Sequence, residues 1–369
     1  VKLTIVIVLA VALVGGVVGI ALGLGLGGKA RSPTDADVGA ASELSGSTQR
    51  GLSPEELYAR DAPAVVAIES LELRKGRPLG SGFALDKHGD LVTTDEAVRR
   101  RRFVRVDFTG GASYVGRVLG ADASTDVAVV RVAAPRAQLD PLRFASSKRV
   151  AVGDPAFAIG DASGGDRRMR SGIVSARGAE VRVRGGGTIV DSVETDVTLA
   201  RDDAGGPLLD RYGHVVGVDA GSPRGSVDAD AGVSVAVAAD IARRVAGELI
   251  RSGRAGHPWL GVEAATVDTG VARSGPSHGV AVARVIRGGP AAKAGIVAAE
   301  RDAVVDGVRV FAGGDVIVAV DGTAVATSQQ LLAAVAERRP GERVSLEVVR
   351  NGRRHTVAVR LGNAPRAGR

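Results

Sequence analysis

The side chains able to do chemistry in this chain are carboxylates, arginines and a few histidines, because the sequence contains no cysteine. Thiolate nucleophiles, thiolate metal sites and disulfide frameworks are thereby excluded. Asp95 and Glu96 stand side by side, and Asp126 follows a short β-like segment later. Glu96 with Asp126 could share a proton, and Glu96 with Asp95 could hold a hard cation. Proton sharing needs a water held between two matched loops. A cation needs more oxygen ligands than the sequence places nearby, so no metal and no cofactor is expected. Carboxylates also pair in purely structural networks, and Glu96 turned to solvent or to a nearby arginine is the plainer reading. His88, His214, His257, His278 and His355 sit in turn or linker contexts and read as solvated surface residues. The run Arg99 to Arg102 could meet anionic lipid or a cell-envelope polymer, although a charge run is usually a solvated face. With no aromatic interleaved among these arginines, nucleic acid is not an expected partner.

The elements that must position these groups follow from composition and spacing. At 369 residues the chain exceeds a single core and leaves room for two domains plus extras. Its apolar fraction of 45% with only 3% aromatics means cores built from Val, Ala, Leu and Ile. Over about 60–240, short apolar runs alternate with Gly/Asp/Ser turns, among them Ala64–Ile68, Gly82–Leu85, Val127–Val132, Ala156–Ile159, Val215–Val218 and Gly232–Val237. That spacing predicts antiparallel β structure, a sandwich or a pair of barrels. Ala239–Arg251 has helical periodicity and is stopped by Ser252-Gly253, so a boundary falls near 252–258. The net charge of +7 bears on solubility and association and leaves the fold open.

From Leu3 to Gly28 the only polar side chain is Thr4. At about 1.5 Å per residue such a run spans the roughly 30 Å of a hydrocarbon core, which predicts a transmembrane helix over 1–28. A cleaved signal peptide would have a shorter apolar region and a small-x-small cleavage site. Gly15, Gly19, Gly23 and Gly27 fall on one helix face, where a second helix could approach, although a merely glycine-rich anchor is the plainer reading. Residues 29–53 read as a flexible linker. Ser53-Pro54-Glu55-Glu56 then predicts a capping box that restarts ordered structure.

Several motifs narrow the β domain further. Gly80-Ser81-Gly82-Phe83, Leu91-Val92-Thr93-Thr94-Asp95-Glu96-Ala97-Val98, Thr125-Asp126-Val127-Ala128-Val129 and Gly205-Gly206-Pro207-Leu208-Leu209-Asp210 occur in an order that resembles the trypsin-like domain of HtrA/Deg proteases. The resemblance implies two packed six-stranded β-barrels over 54–252 with the active site between them. In that family the histidine base sits in T-N-x-H-V-V, the aspartate in T-D-[LV]-A-V and the nucleophile in G-N-S-G-G-P-L. Here those catalytic positions fall on Glu96, Asp126 and Ala204, and the oxyanion glycine falls on Asp202, followed by Asp203. A methyl group offers no lone pair to a carbonyl carbon. A glutamate beside Asp126 is repelled by the carboxylate that would orient an imidazole. A carboxylate at 202 or 203 opposes the oxyanion, inverting a term of about 3–4 kcal/mol. The expectation at this point is a serine-protease homologue that is not an enzyme, a pseudoprotease.

Beyond the boundary, Trp259-Leu260-Gly261-Val262, Gly289-Pro290-Ala291-Ala292-Lys293-Ala294-Gly295-Ile296 and Gly314-Asp315-Val316-Ile317-Val318-Ala319-Val320-Asp321-Gly322 resemble a PDZ domain of the HtrA type over 257–363, with 364–369 as a tail. The resemblance implies that an extended peptide adds a strand to a sheet edge and that backbone N–H groups capture its terminal carboxylate. The residues it implies are Trp259, Leu260, Gly261 and Val262 in the carboxylate loop and Gln329, Leu332 and Val335 on the facing helix. Trp259 packed between domains, and a groove already covered, are the competing readings. The expected whole is therefore mainly β: a transmembrane helix, a double barrel and a PDZ domain. It would sit on the extracytoplasmic side of a plasma membrane, binding C-terminal or extended peptides of envelope proteins in protein quality control. Self-assembly, or mixed assembly with an active homologue, is implied as well. The alternative is an active hydrolase with altered chemistry at Glu96 and Asp126.

Overall fold

A computed structural model describes residues 51–71, 76–161, 167–182, 188–221, 233–267, 278–305 and 308–365. The apolar run Leu3–Gly28, its glycine face and the linker up to residue 50 lie outside these residues, as do Gly232 and the last residues of the tail. Among the described residues no helix is long and apolar enough to cross a membrane.

The first described helix opens on the expected capping box. Ser53 Oγ accepts from the Glu56 N–H while the Glu56 carboxylate accepts from the Ser53 N–H, and Pro54 opens helix α1 (Pro54–Asp61). Strands β1 (Val65–Glu69), β2 (Pro78–Ala84), β3 (Asp90–Thr93), β4 (Phe103–Asp107), β5 (Ser113–Asp122) and β6 (Val127–Val132) follow, with a one-turn helix α2 (Asp95–Val98) after β3. They close into a barrel in the order β1-β2-β3-β6-β5-β4.

The second half contributes β7 (Arg143–Phe144), β8 (Pro155–Asp161), β9 (Arg167–Arg182), β10 (Thr188–Thr195), β11 (Pro207–Leu209), β12 (His214–Gly221) and β13 (Ser234–Ala238). Their order is β11-β8-β9-β10-β13-β12-β7, and β11 also pairs with β12, which brings six of them round into a ring. The two barrels of the expected fold are therefore present.

The continuous apolar runs have a simple cause. Strand side chains alternate faces, and here both faces are buried. In β1 and β6, Val66, Ile68, Ala128 and Val130 fill the first barrel, while Val65, Val127 and Val129 point into a core shared by both barrels. In β13, Ala236 and Ala238 fill the second barrel, while Val235 and Val237 join the shared core. Helix α3 (Ala239–Ser252) seals that core with Ile241, Val245 and Leu249, spaced at helical period. It ends at Gly253, whose left-handed φ of 69° lets its N–H reach the Leu249 carbonyl.

The last portion is a separate core of Val280, Val282, Ile317, Leu346 and Val359. Its main sheet runs β15 (Val262–Thr266), β16 (Val280–Val285), β19 (Asp315–Val320), β21 (Arg343–Arg350), β22 (Arg353–Arg360), with β20 (Thr323–Ala324) on β19. β14 (Pro258–Trp259) pairs with β23 (Gly362–Asn363), and β17 (Arg301–Val305) with β18 (Val308–Ala312). Helices α4 (Pro290–Lys293) and α5 (Ser328–Ala336) complete it, α5 opening on a Thr327/Gln330 capping box.

Polar contacts join this portion to the barrels. His257 Nε2 meets Asp122 Oδ1 at 2.9 Å, Lys148 meets Glu337 at 2.6 Å, and Arg244 donates to the Ala336 carbonyl at 3.2 Å. The reading of all five histidines as solvated surface groups does not hold for His257. Its ring is only 31% exposed, and Asp122, far away in sequence, is its partner.

Candidate active site and peptide groove

Glu96 is placed by a local cap. Thr94 accepts from the Ala97 N–H, which winds residues 95–98 into α2 and turns Glu96 toward the space between the barrels. Asp126 stands behind it on the tight turn between β5 and β6, with a left-handed φ of 54°. Its Oδ1 accepts the Glu96 N–H at 3.1 Å. Asp126 is only 2% exposed, and burial pushes its carboxyl up to about 7. The Glu96 N–H opposes that rise, the nearby charges of Asp95 and Glu96 add to it, and Arg99 opposes it. Asp95 pairs with Arg99 at 3.4 Å. Among the described residues no cluster of acidic and histidine side chains is arranged to hold a metal.

The opposite wall is the loop before β11. A 3-10 turn over Arg201–Asp203 leads into Ala204, whose carbonyl accepts from the Ser81 N–H at 2.7 Å. Ser81 Oγ donates to the Asp202 carbonyl at 2.7 Å and accepts from the Asp161 N–H at 2.9 Å. Gly205 has φ 94° and passes so close to β2 that a Cβ would lie 2.1 Å from the Ser81 carbonyl, so only glycine fits.

The two acidic residues expected near the oxyanion position part company here. Asp202 lines the cleft, whereas Asp203 turns inward, 1% exposed, to an ion pair with Arg170 and the Ala200 N–H. Behind Asp203 lies Asp219, fully buried, with no hydrogen-bond partner for either carboxylate oxygen among the described residues. Burial, and then the charge of Asp203, hold its carboxyl well above the usual range.

Glu96, Asp202 and Ala204 thus face one cleft of about 940 Å³, with Thr94, Leu79 and Leu199 along it. Asp126 touches it only through Glu96. Four arginines, Arg77, Arg99, Arg100 and Arg101, share the same walls. Sequence reasoning found the run from Arg99 but missed Arg77, which the pairing of β1 with β2 brings to the cleft mouth without any local motif. It also missed Asp219, which only the β11–β12 pairing places behind the loop.

In the last portion, β15 is the edge strand of its sheet and pairs only with β16 among the described residues. Gly261, at φ 79°, turns the chain into β15, and a Cβ there would crowd Pro290 at 3.1 Å. The Leu260 carbonyl accepts from the Ala291 N–H and the Gly261 carbonyl from the Ile286 N–H, which fixes the loop from Trp259 to Val262 against α4. Trp259 lies over Gly289, Gly261 and Gly362 within this domain. On α5, Gln329 and Leu332 are exposed and Val335 is buried in the core. The Thr266 and Ser328 side chains tie the strand to the helix N-terminus at 3.3 Å.

A model of the trypsin-like peptidase domain matches residues 80–218, and a PDZ domain model matches residues 258–361. The chain is 32% identical over 327 residues to Protease Do-like 1, chloroplastic, of Arabidopsis thaliana, covering 85% of this chain and 72% of that one. It is also 32% identical over 291 residues to the probable periplasmic serine endoprotease DegP-like of Brucella suis, covering 78% of this chain. The chain spans about half, 53%, of that bacterial relative's length. Among solved structures, the HtrA-type protease AlgW with tripeptide matches at TM-score 0.65 and 25% identity, covering 86% of this chain and 99% of that one. The same protease with decapeptide matches at TM-score 0.62. These relatives correct the expectation of a chain that is not an enzyme. They are named proteases and serine endoproteases, so the chain stands in a protease lineage.

Proposed function

Because the chain belongs to the HtrA/Deg family of trypsin-like proteases with a PDZ domain, we propose that it is a peptide-bond hydrolase in which Glu96 activates water directly. The observation that carries this reading is the seat of Glu96. Its carboxylate faces the cleft shared with Ala204, and its main-chain N–H is anchored by Asp126. Residue 204 has no hydroxyl, so no acyl-enzyme forms there. In this reading the Glu96 carboxylate takes a proton from water, and the water oxygen bonds to the scissile carbonyl carbon. The proton then passes to the departing nitrogen as the C–N bond breaks. Asp126 acts as a positioning residue.

The PDZ groove supplies substrate. An extended peptide C-terminus pairs with the open edge of β15, its carboxylate at Trp259, Leu260, Gly261 and Val262, its side chains against Gln329 and Leu332, with Val335 beneath them in the core. Solved relatives that hold a tripeptide or a decapeptide support peptide binding. An apolar anchor over residues 1–28 and an extracytoplasmic site among envelope proteins in quality control complete the reading, in keeping with relatives named periplasmic. Self-assembly or mixed assembly with a homologue belongs to the same proposal.

The test is incubation of the full chain with unfolded casein. Cleavage is expected to disappear in Glu96→Gln and to be insensitive to serine-directed fluorophosphonates. Cleavage that survives Glu96→Gln overturns the water-activating role. Binding of C-terminal peptides that is unchanged in Gly261→Ala overturns the groove assignment.

A further inference from the structure

The cleft that holds Glu96 and Ala204 is strongly cationic on one side. Arg77 immediately precedes β2, and Arg99, Arg100 and Arg101 come from the turn after α2. Against these four stand two cleft-lining carboxylates, Glu96 and Asp202. Among the described residues no carboxylate pairs with Arg77, Arg100 or Arg101. Arg101 spends one donor on the Arg99 carbonyl at 3.2 Å, while its Nε is buried with no hydrogen-bond partner. Arg100 holds a left-handed φ of 58°, in a turn closed by the Arg101 N–H on the Val98 carbonyl at 2.8 Å. A bulky side chain is disfavoured in that backbone region, and such strain gathers at ligand sites.

We propose that this side of the cleft binds acidic side chains of a peptide, so that the preferred substrates of the hydrolase carry Asp or Glu beside the bond that is cut. The proposal rests on the reading of this cleft as the hydrolytic site. A guanidinium presents planar, paired N–H donors that match a carboxylate, and several converging on one concavity select for more than one acid. The arginines line a recess beside Glu96 and the backbone of Ala204, and a peptide chain enters a recess that a flat lipid surface does not.

The experiment reads binding and needs no turnover. Anisotropy is measured for the full chain with a fluorescent peptide that has three consecutive glutamates and an amidated C-terminus, which removes the carboxylate a PDZ groove would capture. A glutamine counterpart is the reference. The glutamate peptide is expected to bind tighter by about tenfold or more, the worth of a charge-assisted hydrogen bond or two, and to weaken as salt is raised. Charge reversal by Arg100→Glu with Arg101→Glu, and separately by Arg77→Glu, is expected to abolish the preference. Equal affinity for the two peptides, or a preference that survives both variants, overturns the proposal. So does charge-dependent binding to phosphatidylglycerol vesicles with no discrimination between the peptides. Failure of casein cleavage with the peptide preference intact would count against Glu96 alone.

Discussion

Asp126 keeps a carboxyl in a place where its charge is disfavoured. Its pKa, raised from 3.8 to about 7, means that the folded protein binds this proton more tightly than the unfolded chain. The favourable contribution is fully present below about pH 4, is lost progressively as pH rises, and is gone above about pH 7. Asp126→Asn keeps an acceptor for the Glu96 N–H and carries no charge. It is expected to raise stability at pH 8 by an amount on the order of 2–4 kcal/mol, and by little at pH 4, as urea titrations at the two pH values would read. Asp219 obeys the same sign: burial, and then the charge of Asp203, raise it, with no hydrogen bond to compensate among the described residues. Asp219→Asn is therefore expected to increase the melting temperature at neutral pH and to leave it nearly unchanged in acid. A variant less stable at pH 8 would mean that an unseen partner satisfies this carboxylate.

At the scale of elements, glycines at left-handed positions fix the boundaries that matter. Gly253→Ala, at φ 69° and 3.2 Å from the Leu119 carbonyl, is expected to destabilise by about 1 kcal/mol or somewhat more, measurable by denaturant unfolding. Gly205→Ala is expected to be far worse, because the Cβ would strike main chain rather than a movable side chain. Such elements differ in how far they could be read from sequence. The β1 and β6 runs, the Ser53 capping box and the end of α3 were legible because each signal is local. Strand β9, 16 residues long with five arginines and two glycines, was not legible over its length, since its polar positions break the apolar pattern. Its partner β10 was missed for the same reason, its ladder being interrupted by register shifts. The trypsin-like and PDZ domains were legible through motif order. The inward turn of Asp203 was not, because its cause is Arg170 on β9.

For the molecule as a whole, the junction between barrels and PDZ domain carries its own titration. The Asp122 hydrogen bond raises His257, against burial. Burial pushes Asp122 up, but the hydrogen bond and charge of His257, with the Thr125 hydroxyl, outweigh it and leave the carboxyl lowered. The pair therefore contributes fully at pH values between the two, and is lost as pH rises through the raised His257 value or falls through the lowered Asp122 value. Hydrogen exchange at residues 254–260 is expected to be slower at pH 5.5 than at pH 8.5 after correction for intrinsic rates. His257→Ala is expected to remove that difference.

The loop at 204 is shaped by the Ser81 amide, the Ser81 hydroxyl and the Asp219 carbonyl, none of which involves the side chain at 204. Residue 204 is in that sense an interchangeable socket. Its backbone is locked in place by neighbours, and whatever small group is fitted there is presented to the cleft without the loop having to be rebuilt.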